Sequence, residues 1–323
     1  MSKVLVTGAS GYLGTQLVAA LLRDGRDVRA TVRSLEREAG VREAIKRGGA
    51  EDANLEFTIA DLTSDEGWAA AADGIDEVHH VATPFPAAAP DDPDDLIIPA
   101  REGTLRALRS ARDAGARRVV LTSSFAAIGY SPKPSADYDE DDWTDPETPG
   151  LPAYPKSKTV AERSAWDFIK REGGDLELVV VNPTFILGPT LTTEARSSLQ
   201  LVKAMLDGNM PMVRKQRFGI ADVRDVADLH ILAMAAPDAA GKRFLALADG
   251  PTVSFLDVAN ILRDRLGALA ERVPTEEAPG ETPPNLVIHN DRAKALGWQP
   301  RPAETTIVET AESLRYLGLL AQR

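Results

Sequence analysis

The chain has 323 residues, 43% of them hydrophobic, with no cysteine and a formal net charge of -12. That length and apolar fraction allow a large core, in one big domain or two interleaved ones, whereas the missing cysteine excludes disulfides, thiol nucleophiles and thiolate metal sites. The acidic balance argues against nucleic acid as a partner, and no apolar run approaches the ~20 residues that a membrane span needs.

Taken from Met1, the sequence enters an apolar run almost at once, which leaves no room for a signal peptide and points to a cytoplasmic protein. Val4–Val6 reads as a buried parallel strand, broken by glycines at Gly8, Gly11 and Gly14 and followed by an amphipathic helix with Leu13, Leu17, Val18, Leu21 and Leu22 on one stripe. Strand, glycine turn and helix aim helix-terminal N–H groups at a pyrophosphate. Gly8 suits the tight turn, Gly11 close approach of backbone to ligand, and Gly14 close packing of helix on strand. Gly8, Ser10, Gly11, Tyr12, Leu13 and Gly14 are therefore candidate cofactor contacts.

Short apolar runs then alternate with helical patterns. Strands are expected at Val4–Thr7, Val28–Val32, Leu55–Ile59, Glu77–Val81, Val119–Thr122 and Leu178–Val181, with helices over 12–24, 36–47, 66–73, 95–114 and 155–171. The fold class is α/β, a doubly wound parallel sheet whose ligands bind at the carboxyl ends of the strands. Residues 1–182 form this dinucleotide-binding domain. Residues 183–323, with shorter helices and four prolines between Pro274 and Pro284, read as a smaller, mainly substrate-binding α/β region, its segment 220–236 packing back on the first. Two loops leave carboxyl ends, Pro84 to Pro93 and Ser131 to Pro152. Part of each could wall a substrate pocket, Phe85 among them; a solvated surface loop is the alternative.

A dinucleotide site chooses its cofactor at the end of the second strand, where an acid accepts from a ribose 2′-hydroxyl and a cation pairs with a 2′-phosphate. Arg33 stands there and no carboxylate does, so NADP(H) is favoured and NAD(H) is the alternative; the lesser reading of Arg33 is an ordinary surface arginine. Asp61-Leu62 suits an adenine contact, with a capping role for Asp61 left open.

Tyr154-Pro155-Lys156-Ser157-Lys158 sets a phenol and an ammonium four residues apart, on one face of a helix. A free phenol has a pKa of roughly 10, and a nearby cation lowers it toward a usable general acid or base. Pro155 places Tyr154 at the helix start. At the end of the fifth strand, in Thr122-Ser123-Ser124, a serine could hold a carbonyl oxygen for the tyrosine's proton; a plain strand-ending turn is the alternative. His79 and His80 alternate across a strand, and His230 and His289 stand alone, so no metal is expected. The acidic run Asp137 to Asp145 reads as a solvated lip, and Trp166 and Phe168 as helix packing.

The glycine spacing resembles that of extended short-chain dehydrogenases/reductases. Tyr154-x-x-Ser157-Lys158-Thr159-x-Ala161-Glu162-x-x-Ala165-Trp166, His80-Val81-Ala82-Thr83-Pro84, Asn182-Pro183-Thr184, Gly188-Pro189, Asp222-Val223-Arg224-Asp225-Val226-Ala227 and Leu296-Gly297-Trp298-x-Pro300 narrow the likeness. They resemble the dihydroflavonol reductase/cinnamoyl-CoA reductase-like branch (epimerase/dehydratase superfamily) over essentially the whole chain. The resemblance implies that Ser124 orients a carbonyl, that Tyr154 protonates its oxygen, and that Lys158 lowers the tyrosine pKa and binds the nicotinamide ribose. It further implies Val81, Ala82 and Thr83 along the adenosine side, Pro183, Thr184 and Ser198 at the nicotinamide end, and hydride transfer from the B face. Two departures stand out. Leu35-Glu36-Arg37-Glu38 brings acids where the plant enzymes carry a lysine-bearing segment, and Phe125 replaces a small residue, suggesting a tighter pocket beside Ser124.

The expected activity is an NADPH-preferring carbonyl reductase/alcohol dehydrogenase acting on a small aldehyde or ketone, with homodimer and monomer both open. The alternatives are an NAD-dependent nucleotide-sugar epimerase/dehydratase and a non-catalytic dinucleotide-sensing regulator.

Overall fold

The computed structural model describes residues 3–84 and 90–321; Phe85, expected at a pocket wall, lies outside the described residues. Seven strands make the central sheet: β1 (Lys3–Thr7), β2 (Asp27–Val32), β3 (Leu55–Ile59), β4 (Glu77–His80), β5 (Arg118–Thr122), β7 (Glu177–Pro183) and β11 (Arg243–Ala246). Their order is β11-β7-β5-β4-β1-β2-β3, parallel throughout. Such a sheet must be covered on both faces, and its central strands accordingly read as unbroken apolar runs such as Val4-Leu5-Val6 and Val119-Val120-Leu121, all buried.

One face carries α1 (Tyr12–Arg23), α2 (Glu38–Arg47) and α7 (Val223–Ala235); the other carries α3 (Trp68–Ala72), α4 (Asp94–Asp113) and α5 (Ala153–Glu172). Chain order reverses between β1 and β4, which opens a crevice at the carboxyl edge. Three short ladders add to the region beyond residue 183: β8 (Phe185–Leu187) with β10 (Ile220–Asp222), β9 (Arg217–Phe218) with β12 (Val253–Ser254), and β6 (Asp137–Tyr138) with β13 (Val287–Ile288). Helices α6 (Leu199–Asp207), α8 (Phe255–Leu266) and α10 (Ala303–Tyr316) share a separate apolar cluster there, and α9 (Asp291–Lys294) lies against the β11 side.

All six expected strands are present, and α7 packs on α1 through Val223, Val226, Leu229 and Ala233. The seventh strand was not expected. β11 is four residues long and opens with an arginine, so it offers little period-two signal, yet it pairs with β7 from Arg243 to Ala246. The segment 36–47 is divided, a 3₁₀ turn at Leu35–Arg37 preceding α2. Ser34 starts that turn by accepting from the Glu36 N–H.

His79 and His80 point to opposite sides of β4, as strand alternation requires. Both are buried; His80 Nδ1 meets Thr7 Oγ1 at 2.9 Å, whereas the His79 ring lies 5.6 Å from that of His230. Burial pushes both His79 and His80 down to about 3, helped by the charges of Arg26 and Lys158 respectively. A histidine buried neutral takes up its proton on unfolding, so the stability it permits is full above its unfolded value near 6.5 and is lost as pH falls toward 3. Neither ring nitrogen of His79 has a hydrogen-bond partner among the described residues, so His79→Leu removes the titration without breaking a bond. Melting temperatures should fall less steeply between about pH 6.5 and pH 4 in that variant than in the parent; equal slopes would contradict this account of His79.

Candidate active site

The crevice is held together by Thr7 at the end of β1. Its hydroxyl oxygen accepts from the Val81 and Ala82 N–H groups at 3.1 and 3.0 Å, tying the end of β4 to β1. The Gly8 N–H donates to Thr31 Oγ1 at 3.1 Å, and the Ala9 N–H to the Thr31 carbonyl, which brings in β2. Gly8 turns the chain at φ 69°, and a Cβ at Gly14 would lie 2.2 Å from the Gly8 carbonyl oxygen. No side chain could therefore stand at Gly14 with α1 in this place.

Ser10 and Gly11 are exposed above the N-terminus of α1, and the first turn of that helix holds no acid, so its positive end is not neutralised. This cradle fits a pyrophosphate. Leu13 is buried, and Tyr12 donates its hydroxyl to the Gly188 carbonyl at 2.6 Å. Burial, then the Asp222 charge, pushes the Tyr12 phenol well above its ordinary value. Tyr12 thus fastens the glycine loop to the Gly188-Pro189 turn, and Gln16 adds a bond to the Pro189 carbonyl at 2.8 Å.

Arg33 is exposed at the end of β2. Asp61 accepts from Thr63 N and Oγ1 at 2.8 and 2.6 Å; these bonds, then the charges of Arg33 and Arg106, hold its carboxyl below its ordinary value. Asp61 closes its own turn rather than capping α3, which begins at Trp68. Leu62 packs over Gly103 of α4.

Tyr154 and Lys158 lie in the first two turns of α5, with Pro155 accommodated in the first turn. Ser124 starts the 3₁₀ turn Phe125–Ala127, its Oγ accepting from the Ala126 N–H at 3.1 Å. That leaves its O–H to hydrogen-bond the Tyr154 phenol. Lys158 Nζ donates to Thr83 Oγ1 at 3.0 Å and stands 6.0 Å from the centre of the Tyr154 ring. Ser124, from the end of β5, is therefore brought together with Tyr154 and Lys158 of α5 at the carboxyl edge.

The electrostatics differ from expectation. Burial pushes the Tyr154 phenol up to about 12, against the Ser124 bond, which lowers it, and with the Tyr130 phenol raising it further. Burial pushes Lys158 down to about 8, against the opposing charge of Glu162. A tyrosine lowered by its lysine is thus not what this site shows. The lysine points at Thr83, and the loss of water around each group dominates its shift.

The residues expected at the nicotinamide end lie at and beyond the end of β7. Pro183 ends β7, Thr184 N–H and Oγ1 both meet the Ala246 carbonyl, and Ser198 donates to the Ile186 carbonyl. Phe125 corrects its expectation as a pocket-narrowing group. It is 8% exposed, packed over Gly129 and against Tyr138 in a cluster with Ile128, Leu245 and Leu247. Glu140 corrects the reading of its segment as a solvated lip: it is buried, and its carboxylate accepts from the Leu245 N–H at 3.1 Å.

Three groups were missed. Tyr130 sets its ring edge-on to Phe125 and its phenol within electrostatic reach of Tyr154. Asn182 and Glu162 form a buried network under Ser124; helical spacing alone puts Glu162 on the face of Lys158, four residues away. Among the described residues no group of three or more His, Asp or Glu side chains gathers as a metal site, and no helix is long and apolar enough to cross a membrane.

Residues 4–246 match the model of the NAD dependent epimerase/dehydratase family. A cinnamoyl-CoA reductase, CAD2, of Medicago truncatula is 34% identical over 320 residues, covering 97% of this chain and 95% of the relative. An anthocyanidin reductase of Vitis vinifera is 31% identical over 332 residues, with 98% and 96% covered. Among solved structures, the yeast methylglyoxal/isovaleraldehyde reductase Gre2 complexed with NADPH superimposes with a TM-score of 0.84 at 27% identity, covering 98% of this chain and 99% of that one.

If the glycine cradle is the pyrophosphate site, Gly14→Ala should weaken nucleotide affinity by about tenfold or more, since the backbone must shift. Titration of intrinsic fluorescence with NADPH measures it, and unchanged affinity would place the nucleotide elsewhere. With the glycine crevice, the Ser124–Tyr154–Lys158 convergence and relatives matched over nearly their full length, the chain belongs to the NAD dependent epimerase/dehydratase family, in its cinnamoyl-CoA reductase-like extended branch, and is an NAD(P)-dependent oxidoreductase.

Proposed function

We propose that the protein is an NADPH-preferring reductase of small aldehydes or ketones, with Tyr154 as the proton donor. The observation that carries this reading is the meeting of the Ser124 hydroxyl, the Tyr154 phenol and the Lys158 ammonium at the crevice. The dinucleotide would lie with its pyrophosphate over Ser10 and Gly11, its adenosine along Arg33, Asp61, Leu62, Val81 and Ala82, and its nicotinamide toward Pro183, Thr184 and Ser198. When bound, it supplies the hydride that goes to the carbonyl carbon.

The residues of this chain do the rest. The Ser124 O–H turns from the Tyr154 oxygen to the carbonyl oxygen and polarises it. Tyr154, neutral because burial holds its phenol at about 12, gives its proton to the oxygen as negative charge builds there. Lys158, one ring away, stabilises the phenolate that remains. A neutral phenol is the correct starting state for reduction, whereas alcohol oxidation would need the phenolate first.

Preference for NADPH rests on Arg33, whose guanidinium presents a fork to a 2′-phosphate at a strand end that has no acid. The Gre2 relative was solved with NADPH, which supports the same choice. A cytoplasmic setting and a homodimer through the α4 and α5 faces belong to this proposal as well.

Two experiments test it. Tyr154→Phe should lower turnover by at least about a hundredfold while leaving nucleotide affinity within about threefold. Retained turnover would remove Tyr154 from the mechanism. Nucleotide oxidation should also be followed with NADPH and NADH in parallel against aliphatic and aromatic aldehydes and ketones. Faster reaction with NADPH is expected, and Arg33→Ala should raise the KM for NADPH by roughly ten- to a hundredfold with that for NADH unchanged. Equal use of both nucleotides by the parent would contradict the role of Arg33.

A further inference from the structure

Below the catalytic groups lies a fully buried charge that the chemistry above does not use. Glu162, one helical turn beyond Lys158 on α5, has a completely buried side chain. Its Oε2 accepts from Ser123 Oγ at 2.5 Å and from Asn182 Nδ2 at 2.8 Å. Its Oε1 accepts from Arg243 Nε at 2.6 Å and from Trp166 Nε1 at 3.3 Å. The same Asn182 amide also donates to the Ser124 carbonyl at 3.2 Å. The carboxylate therefore joins the ends of β5 and β7 to the catalytic helix, and one of its partners holds the backbone of the serine that faces the carbonyl.

Structural stability alone is a poor reason for such an arrangement. Burying an ion pair costs several kcal/mol per charge, and apolar side chains of similar volume commonly do as well. Arg243 is itself 7% exposed, stacks at 3.8 Å on Trp143, and donates to the Glu140 and Asp142 carbonyls at 2.8 and 2.7 Å. What an apolar replacement could not supply is direction at Ser124 and negative charge near Lys158. We propose that Glu162 is a positioning residue of the reaction: through Asn182 it fixes the Ser124 segment in register, and it sets its carboxylate one turn from the Lys158 ammonium. This deepens the reductase reading and rests on it.

The charged and titratable groups that face this pair come from every side. Glu162 meets Arg243 from β11 and Lys158 on its own helix. Lys158 meets His80 from β4 and Tyr154 from the start of α5. Of these, His80 is neutral above about 3, and Tyr154 loses its proton only near 12. Lys158 is thus the group that titrates in the mildly alkaline range. The Glu162 carboxylate favours its protonated form, so losing that carboxylate moves its titration to lower pH.

The test compares Glu162→Gln, Glu162→Asp and Asn182→Ala with the parent, using NADPH and the best aldehyde from the substrate panel. In Glu162→Gln, kcat should fall roughly ten- to a hundredfold, as displacement of a reacting group demands, with NADPH affinity within about threefold. The alkaline fall of kcat/KM for the nucleotide, which reports the free enzyme, should move to lower pH. Glu162→Asp keeps the charge on a shorter stem, so kcat should drop while the alkaline limb stays in place. Asn182→Ala leaves both charges intact and should do the same. An unmoved limb in folded Glu162→Gln, or parental kcat in Asn182→Ala, would overturn the proposal. If Glu162→Gln does not fold, the last two variants still decide it. A parent that reduces no carbonyl would instead sink the reductase reading, so the two failures are distinguishable.

Discussion

The working edge of this molecule depends on one hydroxyl. Where chain order reverses between β1 and β4 the two strands diverge, and a crevice at that point loses the backbone ladder that holds a sheet together. Thr7 replaces the missing bonds by accepting from two successive N–H groups, those of Val81 and Ala82. The glycine turn begins at the next residue and Thr83 one residue past Ala82, so cofactor cradle and lysine partner are both hung from the same oxygen. An N–H group buried without a partner costs ~1–3 kcal/mol, so the threonine satisfies two groups that would otherwise weaken the site.

A second constraint is burial at the catalytic point. Tyr154 and Lys158 are each driven toward their neutral forms, to about 12 and about 8. The phenol is thereby held in its protonated form. In the proposed reaction, negative charge develops on the carbonyl oxygen where the lysine, the serine O–H and the carboxylate beneath them are already in place. Groups fixed in advance do not have to reorganise in the transition state, which is where such sites gain most of their effect. The buried Glu162–Arg243 pair is the counterpart below: it fixes geometry that solvent-exposed groups could not hold.

What the sequence made legible was whatever depends on local spacing. Gly8, Gly11 and Gly14 announce a turn against a helix, and Tyr154 and Lys158 lie four apart on one helical face; both arrangements follow from short-range geometry. The alternating apolar runs likewise marked six of the seven sheet strands. Long-range arrangement was hidden. Ser123, Glu162, Asn182 and Arg243 are spread over 120 positions, and only the order of strands in the sheet brings them together. β11 escaped notice because four residues led by an arginine carry almost no pattern. Phe125 misled because adjacency to Ser124 in sequence was taken as adjacency to substrate, although the 3₁₀ turn sends its ring into the core. The lowered tyrosine pKa misled similarly: spacing gives the distance between two groups but not their exposure to water.

The central claim is that a hydride passes directly from a nicotinamide bound over the glycine cradle to a carbonyl held by Ser124 and Tyr154. The most direct measurement uses NADPH deuterated stereospecifically at the nicotinamide C4 position, on the B face or on the A face, with one aldehyde of the panel and mass spectrometry of the alcohol formed. The account predicts deuterium at the former carbonyl carbon from the B-face label, and protium there from the A-face label. Deuterium transfer from the A-face label alone, or a product unlabelled from either form, would contradict it.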